Sequence, residues 1–304
     1  MVSKQMRRVL KAISAWRTTF SEYNIEISRS SLDHIAKFQV IPDDIKFKQV
    51  DSGGVPAEWI RAPIINGDYV IMYLHGGGYT SGTIENSREF AARLSKLLKV
   101  RVLLPGYRLA PENPFPVALE DSVSAYEWLL LSGIKSKNTC IVGVSAGGGL
   151  AVATLLKLRN RGVDLPSSAV LISPWTDLTN SGESIRINAK KDPMLHLEEL
   201  DFYKRNYLGD NDPLNPLVSP LFADLKNLPP LFIQAGSIEI LLDDSTRLAE
   251  KAKKAGVKAN LDIWDDMVHT FVTLDPNIPE TIQAAERIKK FIETYLFKST
   301  SIEI

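Results

Sequence analysis

A single serine stands among small residues at the end of an apolar run, in the stretch GVSAG at residues 143–147. A serine hydroxyl is a weak nucleophile until a base removes its proton. A strand, a sharp turn and a helix would lift this hydroxyl above a sheet, and glycine neighbours let the backbone bend tightly. The N-terminus of the following helix would add partial positive charge where an oxyanion forms. The stretch therefore predicts Ser145 as a catalytic nucleophile, with a structural glycine turn as the alternative.

A run of glycines, HGGGY at residues 75–79, ends a second apolar run. Consecutive glycines let several backbone N–H groups point at one place, and an oxyanion hole for acyl transfer requires that arrangement. A phosphate-binding loop is the alternative. This run lacks the GxxxxGK[ST] and GxGxxG spacings, and no helical pattern begins directly after it. We therefore interpret it as an oxyanion-hole loop.

The base of such a site should be a histidine at the end of another strand, and the chain has four histidines. His34 lies in the N-terminal segment and His196 in a later irregular segment, so we interpret both as surface or cap residues. His75 leads the glycine run, and we expect it to support that run through a side-chain hydrogen bond. His269 follows the last predicted strand, in WDDMVHTF, and is the predicted base.

The acid of a hydrolase triad on this kind of sheet is expected between the serine and the histidine in chain order. The segment QAGSIEILLDDS, residues 234–245, follows an apolar strand and offers Glu239, Asp243 and Asp244. The two aspartates come where a helical pattern begins, so helix capping explains them without catalysis. Glu239 lies in the turn itself and is the predicted acid, with Asp243 as the alternative.

Apolar runs and helical patterns alternate along most of the chain, and the later apolar runs are continuous. This organisation predicts an α/β fold with a mostly parallel eight-stranded sheet covered by helices on both faces. An amphipathic helical pattern precedes the first strand. We expect one catalytic domain at residues 41–304, with residues 1–40 and an insertion at about 180–225 outside its core.

The totals exclude several classes of function. Lys+Arg and Asp+Glu both number 36, so nothing favours a nucleic-acid partner. The single cysteine, Cys140, excludes an intramolecular disulfide and fits a reducing compartment. No apolar run approaches the ~18 residues needed to span a bilayer, and the N-terminal segment does not read as a signal peptide. We expect a cytoplasmic protein with no membrane insertion. HExxH and paired Cys/His patterns are absent, so no metal is expected.

The sequence resembles the hormone-sensitive-lipase-type (bacterial family IV) carboxylesterases of the α/β-hydrolase fold, from about residue 45 to the end. The segments that carry the resemblance are HGGGY (75–79), YRLAPENPFP (107–116), GVSAGGG (143–149), SPWTDL (173–178) and HTF (269–271). The resemblance implies Ser145 as nucleophile and His269 as base. It implies that the amides of Gly77, Gly78 and Ala146 form the oxyanion hole. It also implies a small helical cap, built from residues 1–40 and the insertion at about 180–225.

Two residues depart from the family pattern. Val144 stands before the nucleophile, where Asp or Thr is common. Glu239 opens EILLDD, where the family usually has the aspartate of a motif like DPLxDE. The longer side chain requires a backbone slightly farther from His269.

The resemblance implies hydrolysis of short- to medium-chain acyl esters or lactones through a Ser-His-Glu triad and an acyl-enzyme, without a cofactor. A homodimer is a further expectation. An amide or arylformamide hydrolase with the same triad is an alternative function, and a non-enzymatic small-molecule receptor on the same fold is another. Four aromatic or apolar residues are candidates for lining the pocket, although ordinary cap packing explains them equally well: Trp16, Phe20, Tyr207 and Leu208.

Overall fold

The computed structural model describes residues 2–17, 24–37 and 39–297, and an eight-stranded sheet forms its centre. The strands are β1 Lys46–Asp51, β2 Pro56–Arg61, β3 Val70–Leu74, β4 Arg101–Pro105, β5 Thr139–Val144, β6 Ser168–Ile172, β7 Leu231–Gly236 and β8 Ala259–Trp264. The α-helices are α1 Lys4–Arg17, α2 Ile25–Ala36, α3 Ile84–Leu98, α4 Val117–Leu131, α5 Ala146–Asn160, α6 Ser184–Ile187, α7 Leu197–Leu208, α8 Leu242–Lys254 and α9 Pro279–Leu296.

The strand order is β1-β2-β4-β3-β5-β6-β7-β8. β2 is antiparallel to both of its neighbours, whereas β3 to β8 pair in parallel. Parallel neighbours need long crossover connections, and here the helices between the strands supply them. The predicted fold, a mostly parallel eight-stranded sheet with helices on both faces, is confirmed.

The core lies on both faces of the sheet, which is why the strand sequences are continuously apolar. In β3, Val70, Met72 and Leu74 pack in one cluster, and Ile71 and Tyr73 pack in the other. The first cluster includes apolar side chains of α4, α5 and α8, and the second includes those of α3 and α9. The sheet is therefore held between two layers of helices.

The parallel strands all end at the same edge of the sheet, and the loops that carry the predicted site follow them. The glycine run follows β3, Ser145 follows β5, and residues 173–178 follow β6. Glu239 follows β7 and His269 follows β8. Functional groups of open α/β sheets gather at this edge because strand direction brings the loops together.

The segments outside the sheet layers have different neighbours. Met6 of α1 is fully buried in the cluster that includes α9. Just before α1, the Ser3 hydroxyl donates to Glu280 of α9 at 2.8 Å. α2 borders α3. α6 and α7 lie in the insertion. None of the described helices is both long and apolar enough to cross a bilayer.

Leu103→Ala tests the central packing, because Leu103 is fully buried in β4. Removing its side chain should leave a cavity and lower the free energy of unfolding by about 2–5 kcal/mol. The matched control is Leu131→Ala at the end of α4, where the residue is 88% exposed; it should change stability by less than about 0.5 kcal/mol. Denaturant unfolding followed by tryptophan fluorescence measures both, and equal losses would contradict the assigned core.

Candidate active site

The structure brings the three predicted triad residues into one hydrogen-bonded chain. The Ser145 Oγ lies 2.9 Å from His269 Nε2. His269 Nδ1 lies 3.0 Å from Glu239 Oε2. These side chains come from three separate loops at the carboxyl edge of the sheet. The arrangement places a hydroxyl, an imidazole and a carboxyl group in the order that nucleophilic catalysis requires.

The Ser145 backbone adopts φ 56° and ψ −122°, which is strained for a residue with a side chain. Its N–H donates to the Ile172 carbonyl at 2.8 Å, and its carbonyl accepts from the Trp175 N–H at 3.0 Å. Gly147 allows the close packing behind it, because a Cβ there would lie 2.2 Å from the Leu74 carbonyl oxygen. The turn thus presses the start of α5 against the end of β3 and exposes the hydroxyl.

The Glu239 carboxyl group is fully buried. Its Oε1 accepts a hydrogen bond from the Gly236 N–H at 2.5 Å and from the Ser173 hydroxyl at 2.7 Å. Its Oε2 faces His269. Two protein donors therefore bond to Oε1. They hold the carboxyl group in an orientation that directs Oε2 toward the imidazole.

Ser173 links the acid loop to the base loop, a role that sequence reasoning did not assign. Its hydroxyl donates to Glu239 and accepts from the Thr270 N–H at 2.9 Å. Thr270 follows His269 directly in the chain. The Ser173 hydroxyl therefore holds both the carboxyl group that faces the imidazole and the backbone next to His269. The available signal was a polar residue immediately after the buried strand β6.

Asp243 and Asp244, which follow Glu239 in the chain, bond to other loops and segments rather than to His269. The prediction that they cap a helix is wrong. α8 has no side-chain cap at its N-terminus. Asp243 Oδ2 accepts from the Ser184 N–H of the insertion at 2.9 Å. Asp244 Oδ2 accepts from the N–H groups of Thr176 and Asp177 at 2.6 and 2.8 Å. Both carboxyl groups accept from buried backbone N–H groups outside α8, in the loop after β6 and at the start of α6. Such buried N–H groups require an acceptor.

The predicted oxyanion-hole loop has the geometry of a tight turn. Gly77 and Gly78 have φ of 120° and 61°, and the Gly77 carbonyl accepts from the N–H of Ser81 at 2.9 Å. A Cβ at Gly78 would lie 2.5 Å from the Tyr203 ring. Within residues 2–17, 24–37 and 39–297, the N–H groups of Gly77, Gly78 and Ala146 donate to no other protein group. These donors are thus available to a ligand oxygen beside Ser145.

His75 lies under the glycine run and is buried. Its ring stacks on Tyr107 with centroids 4.2 Å apart, and its Nδ1 lies 2.8 Å from the Gly76 carbonyl oxygen. Burial lowers the pKa of His75 to about 4, so the ring is neutral near pH 7 and its Nδ1–H donates to that carbonyl. The Tyr107 hydroxyl donates to the His75 carbonyl at 2.7 Å. The pair supports the backbone of the turn.

A cavity of about 400 Å³ opens over Ser145 and His269. Its apolar lining comes from α2, α3, α7 and the loops, with Ile27, Leu32, Phe90, Val144, Trp175, Met194, Leu195, Leu200 and Tyr203. Of the four candidate pocket residues, Tyr207 stacks on Tyr79 at 3.7 Å and is 1% exposed, and Leu208 is also buried away from the cavity. The prediction was wrong for these two, because α7 turns them toward the core. Phe20 and the Trp16 side chain lie outside the described residues.

Arg29 fastens α2 over the glycine run. Its Nε donates to the Thr80 carbonyl at 2.9 Å and its Nη2 to the Ala110 carbonyl at 3.1 Å. The guanidinium also pairs with Glu112 at 2.7 Å, and this hydrogen bond lowers the pKa of Glu112 to about 2. Sequence reasoning missed this contact. One arginine therefore connects a cavity wall to the loop that carries Gly77 and Gly78.

The insertion fastens the acid loop in a similar way. The Asn188 side-chain amide donates to the Glu239 carbonyl at 2.9 Å. Asp192 Oδ2 accepts from the Ile240 N–H at 2.8 Å, and its Oδ1 accepts from the Met194 N–H at 2.7 Å. Burial raises the pKa of Asp192. Because Met194 lines the cavity, Asp192 links a cavity wall to the loop that carries the acid.

No group of three or more His, Cys, Asp or Glu side chains that could hold a metal ion occurs in the part of the chain that the structure describes.

Comparisons with known proteins point to one family. Residues 71–273 match the family model of the alpha/beta hydrolase fold. An acetyl-hydrolase from Streptomyces hygroscopicus is 37% identical over 299 residues, which cover 97% of this chain and 98% of the relative. An esterase from Acinetobacter venetianus is 37% identical over 264 residues, covering 86% of this chain and 87% of the relative.

Solved structures are equally similar. An esterase from the bacterial hormone-sensitive lipase family superposes with a TM-score of 0.94 at 42% identity, covering 97% of this chain and 99% of that chain. A hormone-sensitive lipase from a metagenome library superposes with a TM-score of 0.91 at 33% identity, covering 95% and 98%. The similarity thus extends over nearly the whole length of both proteins.

Asp244→Asn tests the buried anchor below the site by its pH dependence. Burial raises the pKa of Asp244 to about 7, above its ordinary value of 3.8. Between these values the folded state binds more protons than the unfolded state, so the free energy of unfolding falls as pH rises from about 4 to 7. The asparagine oxygen can still accept from Thr176 and Asp177 but does not titrate. Wild-type stability should therefore fall more steeply between about pH 4 and 7 than that of the variant, as measured by urea unfolding. Parallel pH profiles would contradict the assignment.

Proposed function

The chain belongs to the alpha/beta hydrolase fold family, among the hormone-sensitive-lipase-type carboxylesterases, and it hydrolyses carboxylic esters; from this premise we propose that Ser145, His269 and Glu239 are its catalytic triad. The observation that carries the proposal is the continuous chain of hydrogen bonds, 2.9 Å from the serine to the imidazole and 3.0 Å from the imidazole to the carboxyl group. The glutamate takes the place of the aspartate that is commoner in triads, and either acid can orient a histidine.

In the acylation step, His269 Nε2 takes the hydroxyl proton while Ser145 Oγ attacks the ester carbonyl carbon. This requires a proton on Nδ1 of the same ring, and the Glu239 Oε2 acceptor selects that tautomer. The carboxylate then stabilises the imidazolium as it forms. Because Ser173 and the Gly236 N–H hold the other carboxyl oxygen, the acid keeps its orientation during the proton transfer.

The tetrahedral oxyanion binds the N–H groups of Gly77, Gly78 and Ala146, and the N-terminus of α5 adds partial positive charge there. Each such donor contributes about 3–4 kcal/mol to the transition state in enzymes where one has been removed. The C–O bond of the ester breaks, and the alcohol leaves with the proton from His269. Water, deprotonated by the same imidazole, then attacks the acyl-enzyme and restores Ser145.

We propose short- to medium-chain acyl esters, including ring esters such as lactones, as substrates. The cavity of about 400 Å³ is near the small end of the range for small-molecule sites. The buried aromatic residues Trp175 and Tyr203 are part of its lining. The similarity to an acetyl-hydrolase supports a small acyl group. Nothing in this geometry favours an amide over an ester.

We also propose that the protein works in the cytoplasm as a homodimer. The sole cysteine, Cys140, is buried in β5 and supports a reducing compartment. β8 is the last strand in the sheet order, so its outer side has unpaired backbone groups in the described structure. The side chain of Ile263 on β8 is 40% exposed, which supports pairing of two copies along this strand.

Ser145→Ala should lower kcat/KM for 4-nitrophenyl acetate and butyrate by at least about 10³-fold, because only binding and the oxyanion hole remain. Ser132→Ala, at the exposed end of α4, is the matched control and should retain wild-type rates. Retained turnover in a pure preparation of the first variant would contradict the assigned nucleophile. Assaying an arylformamide and an isosteric ester in parallel separates amide from ester hydrolysis.

The cavity size predicts an optimum in acyl-chain length. In a series of 4-nitrophenyl esters, kcat/KM should be highest between acetyl and hexanoyl and should fall by about tenfold or more at decanoyl. The end of a longer acyl chain would extend out of the cavity and lose its apolar contacts. Each buried methylene group contributes about 0.8 kcal/mol. An optimum at decanoyl or above would overturn the proposed substrate range without affecting the triad.

A further inference from the structure

One wall of the cavity carries polar side chains that the proposed mechanism does not use. It lies where β3 and α3 meet the loop after His269, and it includes Tyr73, Glu89 and Thr273. We call it the Tyr73–Glu89 wall. α2, α7 and the insertion line the rest of the cavity with apolar side chains and with the polar residues Ser28, Ser31, His196 and Glu199. The Tyr203 hydroxyl of α7 donates to Glu199, whereas the Tyr73 hydroxyl has no such partner among the described residues, and this difference distinguishes the Tyr73–Glu89 wall.

Glu89 is a nearly buried carboxylate, with 8% exposure. Both of its oxygens lie close to Arg93 Nε, at 2.9 and 3.1 Å. Burial raises the pKa of Glu89, and the nearby guanidinium opposes that effect. Each carboxylate oxygen has two lone pairs, so one shared N–H leaves acceptor capacity on both oxygens.

All three guanidinium nitrogens of Arg93 bond to protein groups. Beyond Glu89, its Nη1 donates to the Val272 carbonyl at 3.2 Å and its Nη2 to the Thr273 carbonyl at 2.8 Å. These contacts tie α3 to the loop that follows the imidazole. The positive charge next to Glu89 also means that the wall as a whole carries no net charge.

Tyr73 provides the second observation. It lines the cavity with 4% exposure, and its hydroxyl has no hydrogen-bond partner among the described residues. Burial raises the pKa of Tyr73 well above its ordinary value, so the group remains a neutral hydroxyl. The hydroxyl oxygen is accessible from the cavity, so a polar group of a ligand can bond to it there.

We propose that the Tyr73–Glu89 wall is a specificity subsite for a hydroxyl group carried by the ester substrate, with Glu89 as the acceptor and Tyr73 as the second partner. The inference rests on the proposed function, because it concerns the substrate of the same site. A purely alkyl group against this wall would remove water from Glu89 without replacing its hydrogen bonds, whereas a hydroxyl replaces them.

Other substrate groups fit the wall less well. A carboxylate accepts hydrogen bonds but donates none, so it would leave the Glu89 oxygens without a donor. An ammonium group would meet Arg93 as well as Glu89, so the attraction and the repulsion would largely cancel. A hydroxyl can donate to the carboxylate and accept from the phenol, and it carries no charge. This complementarity favours hydroxy esters over the corresponding simple esters.

The test compares ethyl butyrate with ethyl 3-hydroxybutyrate, and separately with 2-hydroxyethyl butyrate, which places the hydroxyl on the alcohol side. The measured quantity is the ratio of kcat/KM for the hydroxy ester to that for ethyl butyrate. Glu89→Gln should lower the ratio about tenfold for at least one of the two hydroxy esters, because a bond to a charged acceptor becomes a bond to a neutral one. Tyr73→Phe should lower the same ratio several-fold while keeping the ion pair with Arg93.

Glu199→Gln is the matched control. Glu199 lines the cavity from α7, where its carboxyl group accepts from the Tyr203 hydroxyl at 2.8 Å. This variant makes the same change of charge at a different wall, so the ratio should stay at the wild-type value.

Each outcome decides the inference. Equal losses on hydroxy and simple esters in Glu89→Gln and Tyr73→Phe would overturn it, because the wall would then only support the loop. An unchanged ratio in both variants would also overturn it. If Glu89→Gln does not fold, the ratio in Tyr73→Phe decides alone. A wild-type protein that fails to hydrolyse ethyl butyrate or any nitrophenyl ester would instead contradict the proposed function.

Discussion

The burial of the Glu239 carboxyl group is the constraint on which the rest of the site depends. Removing such a group from water is costly unless donors replace the lost hydration. Here the donors come from three places: the Gly236 N–H in its own turn, the Ser173 hydroxyl after β6 and the His269 ring after β8. Because each donor lies on a different loop, satisfying one carboxyl group brings three strand ends into a single arrangement.

This constraint explains why much of the surrounding structure consists of anchors for loops. Asp244 holds the loop after β6 through backbone amides, and Arg93 holds the loop after β8 through backbone carbonyls. Asp192 and Asn188 hold the acid loop from the insertion. Loops at a sheet edge are ordinarily mobile, and side-chain bonds to their backbone limit that motion. The imidazole therefore stays within hydrogen-bond distance of the strained Ser145.

The cavity walls are tied to the same loops. Arg29 joins α2 to the glycine run, and Asp192 joins the Met194 segment to the acid loop. A substitution in either wall would therefore also displace the glycine run or the loop that carries Glu239. The walls also differ in chemistry: apolar side chains cover most of the surface, and Tyr73 and Glu89 form a polar part.

The sequence by itself determined the fold class, and local patterns in it predicted Ser145, His269 and Glu239, the last with Asp243 as an alternative. A continuous apolar run ending in a serine between glycines identifies a strand end without knowledge of its neighbours, and so do HGGGY and the histidine after the last strand. Only the tertiary structure decided which polar groups pair. Asp244 bonds to amides 67 and 68 residues away, and Arg93 bonds to a carbonyl 180 residues away. The structure also decided the burial of Tyr207 and the hydrogen-bond partners of Ser173. The physical reason is the same: a hydrogen bond or a packing contact requires two groups to meet in space, and the spacing of residues along the chain does not show which distant groups meet.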